Sequence, residues 1–143
     1  GCIFCKKPKV KKDNETFILS RSKYAYSLLN IYPYNNGHLM VAPFRHVDSL
    51  VKLRIEERID LMNMVCEMEE VLRKALKPQG FNIGINVNRA AGAGYAGHVH
   101  AHIVPRWNGD TNFMPVVGDT KVIPQSLKIL YAQLKKVVLG KEK

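Results

Sequence analysis

Three of the five histidines of this 143-residue chain stand at alternate positions in the stretch GHVHAHIVPRW: His98, His100 and His102. Side chains on a β-strand point to opposite faces in turn, so a strand here places all three imidazoles on one face, roughly 7 Å apart. The residues between them are apolar and point the other way, into a core: Val99, Ala101 and Ile103. One apolar face and one imidazole face indicate a functional site rather than a polar sheet edge.

Such a row of imidazoles supports two chemistries. Three imidazoles can hold a metal ion that activates water. Alternatively, one neutral imidazole can act as a nucleophile while its neighbours orient it and donate hydrogen bonds. The loop RAAGAGYAG, with Gly92, Gly94 and Gly97, precedes the row, and backbone N–H groups in such a loop can cradle phosphate oxygens. The loop therefore favours nucleophilic attack on a phosphoryl group, which depends on positioning and charge stabilisation.

The pair Cys2 and Cys5 in CIFC is a second group that could do chemistry. Both thiolates can reach one tetrahedral ion, but a pair is only half of a zinc site. A thioredoxin-like redox pair and a free reduced pair are the alternatives. The third cysteine, Cys66, falls inside a helical pattern, and we predict it to be a small buried apolar residue.

The elements that must position these residues include several strands. ETFILS and KYAYSLLN have the aromatic and apolar content of strands. Asn36-Gly37 is a strong hairpin signal and predicts a turn into a strand over 38–42. FNIGINVN alternates and predicts a strand over 81–88, and HVHAHIVPR is the next strand.

Two helices are predicted from apolar residues that recur every three or four positions. The first runs from about Asp48 to Leu76 and is ended by Pro78 and Gly80. Its predicted apolar stripe is Ile55, Ile59, Met62, Val65, Met68, Leu72 and Leu76. The second begins near Pro124, with a stripe of Leu127, Leu130, Leu134 and Val137 or Val138. We predict an α+β fold with a mostly antiparallel sheet and the helices on one face.

Composition restricts the class of protein. The apolar fraction of 46% is ordinary for a globular domain, and no apolar run approaches the roughly 20 residues that span a bilayer. We therefore expect a cytoplasmic protein with no membrane partner. The net charge of +10 favours polyanionic partners, but much of it lies near the two ends. We do not expect nucleic-acid binding, because no platform of interleaved aromatic and basic residues is present.

A family resemblance rests on these residues. HVHAHIV resembles the motif His-φ-His-φ-His-φ-φ, with φ apolar, of the histidine triad (HIT) superfamily of nucleotide-binding proteins. LLNIYPYNNGHLMVAPFRH is similar to the family segment in which an Asn precedes a Gly-His strand. RAAGAGYAGHVHAHIVPRWNGDTNFMP, above all RW.GD.NFMP, resembles the branch of bacterial diadenosine tetraphosphate phosphorylases and fragile histidine triad hydrolases. The resemblance implies a HIT-like fold with a five-stranded sheet, one long and one C-terminal helix, and a single domain over 1–143.

The resemblance also implies catalytic roles. His100 matches the nucleophile that takes the α-phosphoryl group as a covalent nucleotidyl-histidine. His102 matches the residue that hydrogen-bonds the phosphate oxygens and stabilises the transition state. His38, in NGHL, matches a histidine that supports the triad from the neighbouring strand; a purely structural histidine is the alternative.

Nucleotide-binding residues are implied in the same way. Asn30 matches the position that binds the ribose, and Asn86 matches a polar contact to phosphate or leaving group. Gly92 and Gly94 match the backbone phosphate cradle. Ordinary polar strand ends and turn-forming glycines are the alternatives. The fragile histidine triad enzymes have a glutamine in this loop, whereas after Arg89 this chain has only Gly, Ala and Tyr95 there, which favours the phosphorylase-like branch.

A complete metal site needs two further ligands beside Cys2 and Cys5. His46 lies outside both the triad and NGHL, and His98 is the first triad member. The set resembles the zinc site of the related galactose-1-phosphate uridylyltransferases and of several bacterial triad proteins. Four protein ligands leave no open position, so we expect a structural zinc that ties the N-terminal segment to the catalytic strand.

The expected function is cleavage of a nucleotide phosphoanhydride through a covalent histidine intermediate, with diadenosine polyphosphates as substrates and phosphate or water resolving the intermediate. Family members commonly pair as dimers that join their sheets, which implies a homodimer. The alternatives are hydrolysis of adenylyl phosphoramidates or other nucleoside conjugates, and a nucleotide-binding sensor with little turnover.

Overall fold

We describe the fold from a computed structural model, which describes residues 1–110 and 125–140. The motif residues Asn112 to Pro115 and the predicted helix start at Pro124 lie outside these ranges. No helix in the described part of the chain is long and apolar enough to cross a membrane.

Five strands and four α-helices make up the described structure. The strands are β1 (Ile18–Arg21), β2 (Ala25–Leu29), β3 (Leu39–Pro43), β4 (Gly80–Ile85) and β5 (Ala101–Arg106). The α-helices are α1 (Ile3–Lys6), α2 (Asp13–Thr16), α3 (Ile55–Leu76) and α4 (Leu127–Val138). Short 3₁₀ turns lie at Lys7–Lys9, Leu50–Lys52 and Arg89–Ala91.

The strands form one antiparallel sheet in the order β1-β2-β3-β5-β4. The α+β prediction, with a long helix and a C-terminal helix, is therefore confirmed. β5, which follows the first two triad histidines, lies between β3 and β4, and its residue His102 is paired with Met40 on one side and Gly84 on the other. His102 is thus held by neighbours on both sides, whereas His98 and His100 precede the paired part of the strand.

Three predicted element boundaries are wrong. The ladder of the triad strand begins at Ala101, because the amide of Val99 is taken by the carbonyl of Val47 rather than by a neighbouring strand. β4 ends at Ile85, before the left-handed backbone at Asn88 (φ 68°). Helix α3 begins at Ile55, where the Glu57 side chain accepts a hydrogen bond from the amide of Arg54 at 2.9 Å and caps the helix.

The hairpin predicted at Asn36-Gly37 exists, but its connection is longer than a two-residue turn. β2 and β3 pair in register from Ala25↔Pro43 to Leu29↔Leu39, so residues 30–38 form the loop. Gly37 has φ 84° and a Cβ there would lie 2.6 Å from Leu76, so the position requires glycine. The longer loop places Asn30 and His38 at its two ends. The backbone N–H of Asn30 joins them by donating to the backbone carbonyl of His38 at 3.0 Å.

Helices α3 and α4 cover one face of the sheet and form the larger core. The buried row of α3 is Leu61, Met64, Val65, Met68, Val71 and Leu72, together with Glu57. The predicted stripe is therefore wrong in its first half, since Ile55, Ile59 and Met62 are exposed. Cys66, predicted to be buried, is exposed as well. The helix carries two apolar rows, and the sequence does not show which one meets the sheet. The α4 stripe is confirmed at Leu130, Leu134 and Val137.

The opposite face of the sheet carries a second, smaller core. It contains Phe4, Ile18, Tyr26, Leu28, Met40 and Ala42. Phe4 comes from the one-turn helix α1, so the N-terminal segment lies across this face. Tyr26 fixes the segment by donating its hydroxyl to the Phe4 carbonyl at 2.7 Å. This is the face on which the three triad imidazoles lie.

Candidate active site

The triad strand divides its side chains as the alternation predicts. Val99, Ala101 and Ile103 are buried in the core on the helix side. The imidazoles lie on the other face, where the His100 and His102 ring centroids are 4.8 Å apart. Despite their equal spacing along the chain, the three rings have different neighbours and can therefore have different chemical roles.

The first triad histidine, His98, belongs to a group of four potential metal ligands. One ligand atom from each of Cys2, Cys5, His46 and His98 lies within 4.8 Å of the others. The Cys2 and Cys5 sulfurs are 3.4 and 3.6 Å from Nδ1 of His98, and Nδ1 of His46 is 3.2 Å from it. The structure therefore brings together all four residues expected from the sequence as metal ligands.

The hydrogen bonding of His98 suits a metal ligand. Its Nε2–H donates to the carbonyl of Pro43 at 2.8 Å, so the neutral ring keeps a lone pair on Nδ1, which faces the thiols. Burial and the neighbouring Cys2 raise the pKa of the Cys5 thiol, a cost that a bound cation offsets because it favours the thiolate. Two sulfurs and two imidazole nitrogens are a donor set typical of a closed tetrahedral zinc site.

The middle histidine, His100, stands apart from that group. Its Nδ1–H donates to the carbonyl of His98 at 2.8 Å, which leaves the lone pair on Nε2. Phe4 stacks on the ring with centroids 4.4 Å apart and the planes 27° apart. Burial lowers the pKa of His100 below its ordinary value, so the ring is neutral at pH 7. A neutral imidazole with a fixed ring and a lone pair on Nε2 is the form that can act as a nucleophile.

The third triad histidine, His102, is oriented by His38. Nδ1 of His38 accepts the amide N–H of Tyr34 at 3.1 Å, so a neutral His38 carries its proton on Nε2. That Nε2–H donates to Nδ1 of His102 at 2.9 Å, and His102 in turn keeps its proton on Nε2. The side-chain amide nitrogen of Asn30 lies 3.4 Å from His38 Nε2. Because that nitrogen of His38 carries the proton, it does not accept a hydrogen bond from Asn30. These two hydrogen bonds leave His102 with its Nε2–H as a donor.

These buried imidazoles predict a pH dependence of stability. Burial first, and then charge repulsion from neighbouring histidines, lowers the pKa of both His38 and His102 to about 4. In the unfolded chain, these histidines take up protons below their ordinary pKa of 6.5. In the folded protein, His38 and His102 stay neutral until the pH approaches 4. The free energy of unfolding should therefore be at its full value above pH 6.5 and fall between pH 6.5 and 4.

Urea unfolding across this pH range measures the effect. His38→Gln, which keeps a side-chain donor to His102, should flatten the decline because one of the titrating groups is gone. An unchanged slope in His38→Gln would contradict the lowered pKa of His38.

A cleft of about 530 Å³ opens beside the second and third imidazoles, and we call it the first cleft. It is lined by Ile3, Phe4, Lys7, Asn30, Ile31, Tyr32, Tyr34, Met40, Asn86, Gly92, Gly94, Tyr95, His100 and His102. The structure thus gathers every residue that the sequence indicated for nucleotide binding. Asn86 lies 3.5 Å from the carbonyl of Gly92, and Gly92 has φ 90°, the region that glycine favours. The predicted histidine His38 lies behind the wall, 1% exposed.

Sequence reasoning missed the apolar walls of this cleft. Phe4 and Ile3 come from the segment considered only for its cysteines. Tyr32 and Tyr34 come from the loop considered for its turn and for Asn30 and His38. Tyr32 and Tyr34 are 82% and 73% exposed. The signal available was the position of Phe4 between two candidate metal ligands, Cys2 and Cys5, since a metal bound there would fix the residue enclosed by its ligands.

Comparison with known proteins identifies the family of this chain. Residues 11–109 match the family described as the HIT domain, and the chain belongs to this family. The predicted resemblance is therefore confirmed.

Particular relatives are similar over much of the chain. An AP-4-A phosphorylase of Mycobacterium tuberculosis is 45% identical over 116 residues, 81% of this chain and 60% of that protein. This chain therefore spans less than two thirds of that relative. An adenosine 5'-monophosphoramidase of Schizosaccharomyces pombe is 29% identical over 91% of this chain and 92% of its own length. The crystal structure of a Zn-bound histidine triad family protein from Mycobacterium smegmatis has a TM-score of 0.78 at 22% identity, covering 99% of this chain and 95% of that one, and shares the fold.

Proposed function

We propose that this protein is a nucleotidyl-transferring enzyme that cleaves dinucleoside polyphosphates, such as diadenosine tetraphosphate, at the α-phosphate. The observation that carries the proposal is the state of His100. Its Nδ1–H is fixed on the His98 carbonyl, its ring is stacked on Phe4, and it lines the cleft beside Asn86 and His102. A lone pair held this way can form a bond to phosphorus.

The first chemical step is attack by the Nε2 lone pair of His100 on the α-phosphorus. An N–P bond forms, the P–O bond to the rest of the polyphosphate breaks, and the leaving oxygen takes the electron pair. With diadenosine tetraphosphate this gives adenylyl-His100 and ATP. Attack by water on the adenylyl group then gives AMP and free His100, whereas attack by phosphate gives ADP. A covalent intermediate splits one difficult transfer into two easier ones.

The surrounding residues stabilise the charge that develops on the phosphoryl oxygens. His102 Nε2–H donates to a non-bridging oxygen, and His38 fixes the tautomer of His102. Gly92 and Gly94 both line the cleft, but the N–H groups of Gly92 and Ala93 already donate to the carbonyls of Arg89 and Asn88, so the N–H of Gly94 is the donor proposed for the phosphates. Asn86 contacts the phosphate or leaving group. Asn30, which also lines the cleft, binds the ribose. Preorganised donors of this kind supply a large part of catalysis in phosphoryl transfer.

Cys2, Cys5, His46 and His98 are proposed to hold a structural zinc ion. Bound there, the ion supplies a cross-link between α1 and the triad strand and has no open position for substrate. Support comes from the donor set, from the His98–Pro43 hydrogen bond and from the fold shared with a Zn-bound protein.

The remaining proposals concern assembly and setting. We infer a single HIT domain over 1–143 that forms a homodimer in the cytoplasm. β4 is an edge strand with Ile83 45% exposed, and the exposed row Ile55, Ile59 and Met62 of α3 offers apolar surface to a second copy. A reducing compartment suits thiols that bind metal.

Two relatives favour two different substrates, and an assay separates them. Diadenosine tetraphosphate is expected to be cleaved with a kcat/KM at least about tenfold above that of adenosine 5'-phosphoramidate, since the phosphorylase relative is 45% identical. ADP plus ATP formed only when phosphate is added indicates a phosphorylase, and AMP plus ATP without phosphate indicates a hydrolase. A preference for the phosphoramidate would favour the activity named for the second relative. Tight AMP binding without turnover of either compound would indicate a sensor.

A further inference from the structure

Lys7 is the only lysine, arginine or acidic residue among the described residues that line the first cleft. The other lining residues are apolar, aromatic, amide, glycine and neutral imidazole groups. The Lys7 side chain is half-buried, and within the described ranges its ammonium forms no ion pair. A partly buried charge without a partner is unfavourable. The ammonium of Lys7 is therefore available to a ligand in the cleft.

The N-terminal segment brings Lys7 to the β1 side of the cleft. The backbone N–H of Lys7 donates to the carbonyl of Ile3, so the two side chains lie one helical turn apart on the same face of the segment. The next residue, Pro8, accepts a hydrogen bond at its carbonyl from the guanidinium of Arg21, the last residue of β1, at 3.0 Å. β1 and β4 are the two opposite edges of the sheet. Lys7 therefore enters the cleft from the side away from β4.

The groups proposed to bind phosphate lie towards β4. His102 belongs to β5, and Asn86 follows directly on β4. A second, smaller cleft along β4 adjoins the first at these two residues, which therefore mark the β4 end of the first cleft. Asn30, proposed to bind the ribose, follows directly on β2, which lies nearer to β1. A nucleotide with its phosphate at β5 and its ribose at Asn30 directs its base towards Lys7.

The lining at the Lys7 end suits the faces and the edge of a base. Ile3 and Ile31 line the cleft there with exposed aliphatic side chains, which can cover the flat faces of a base but cannot hydrogen-bond its edge. The ammonium of Lys7 has three N–H donors and no acceptor. Guanine presents two adjacent acceptors, O6 and N7, whereas adenine presents N7 beside an amino group that is itself a donor. An ammonium at this edge therefore favours guanine.

We propose that Lys7 is a specificity-determining residue that selects guanine over adenine in the first nucleoside, whose α-phosphate is the one attacked by His100. This inference rests on the proposed function and narrows it. Lys7 donates hydrogen bonds to O6 and N7 of the base, and the chemical step at His100 is the same for both bases. Diadenosine tetraphosphate is thus a substrate, and dinucleotides that present guanosine to the first cleft are better ones.

The test uses a mixed dinucleotide with adenosine at one end of a tetraphosphate and guanosine at the other, so that the two bases compete within one molecule. Guanosine in the first cleft gives guanylyl-His100 and releases ATP, whereas adenosine there gives adenylyl-His100 and releases GTP. A contact of this kind discriminates between bases by about fivefold or more. The initial ratio of ATP to GTP released should therefore fall about fivefold in Lys7→Met. Lys7→Arg, which keeps the charge and the donors, should retain most of the wild-type ratio.

Lys6→Met is the matched control, because Lys6 is the neighbouring lysine, is exposed and does not line the first cleft. It should release ATP and GTP in the wild-type ratio. A Lys7→Met ratio equal to that of the wild type would overturn the selection of guanine and leave the proposed function standing. Equal slowing of both orientations in Lys7→Met would overturn it too, since that result places the ammonium on the phosphates.

Binding of mononucleotides tests Lys7 separately from turnover. Calorimetric titration should show GMP bound about fivefold or more tighter than AMP by the wild type, and the two bound alike by Lys7→Met. If the wild type does not cleave the mixed dinucleotide, the proposed function fails, and these affinities still decide the role of Lys7. Equal affinities of the wild type for GMP and AMP would overturn that role.

Discussion

Replacing His100 with asparagine is expected to lower kcat for diadenosine tetraphosphate by at least about 10⁴-fold, because losses of this size follow the removal of a covalent nucleophile. Asparagine can keep a hydrogen bond to the His98 carbonyl and part of the contact with Phe4, but it has no lone pair on nitrogen that can attack phosphorus. Steady-state and single-turnover rates on the same protein preparation measure the loss.

Two comparisons make this result specific. AMP affinity, measured by titration calorimetry, should change by less than about fivefold in His100→Asn, because only bond formation is removed. His102→Asn, which removes one hydrogen-bond donor and leaves the nucleophile, should lose about 10²–10³-fold. Turnover by His100→Asn within about tenfold of the wild type would rule out His100 as the nucleophile.

The double variant Cys2→Ser/Cys5→Ser is expected to lower the melting temperature by about 10 °C or more. A one-turn helix such as α1 is far too short to be stable alone, so its position depends on the proposed metal ligands Cys2 and Cys5 and on the Tyr26 hydrogen bond. Releasing it withdraws Phe4 from the second core, a loss of about 3–5 kcal/mol if it compares with truncation of a buried phenylalanine. Each kcal/mol shifts the melting temperature of a domain of this size by about 3 °C.

Cys66→Ser is the control for this experiment, because Cys66 is exposed on α3 and outside the ligand group. Cys66→Ser should have the melting temperature of the wild type and keep its metal. Metal analysis of purified protein should find about one zinc ion per chain in the wild type and in Cys66→Ser, and much less in the double variant. A double variant that melts with Cys66→Ser would exclude a structural role for the cysteine pair.

Much of the fold follows from local patterns in the sequence. Strand alternation and turn signals predict the strands of the sheet, and the α4 stripe predicts its buried face. The α3 stripe fails in its first half because Ile55, Ile59 and Met62 form a second apolar row beside the true one. Which row meets the sheet is decided by contacts between distant segments, including the burial of Glu57 between Arg45 and Arg54, and no local pattern encodes them.

The site, like the fold, is only partly predictable from local sequence patterns. Residue types and spacing indicate the imidazole row, the cysteine pair and the glycine loop. They do not show that His98 turns its Nδ1 to the thiols while His100 turns its Nδ1–H to a carbonyl. That difference depends on the carbonyl of Pro43 and on the ring of Phe4, which reach the strand from elsewhere in the chain.

The most direct measurement is a crystal structure of the protein with a bound, non-hydrolysable dinucleoside polyphosphate. Covalent catalysis by His100 predicts the α-phosphorus about 3–3.5 Å from Nε2 of that residue, with the nitrogen bound to no ion and any zinc held by the two cysteines, His46 and His98. An α-phosphate placed away from His100, or a metal ion on its Nε2, would contradict covalent catalysis by this residue.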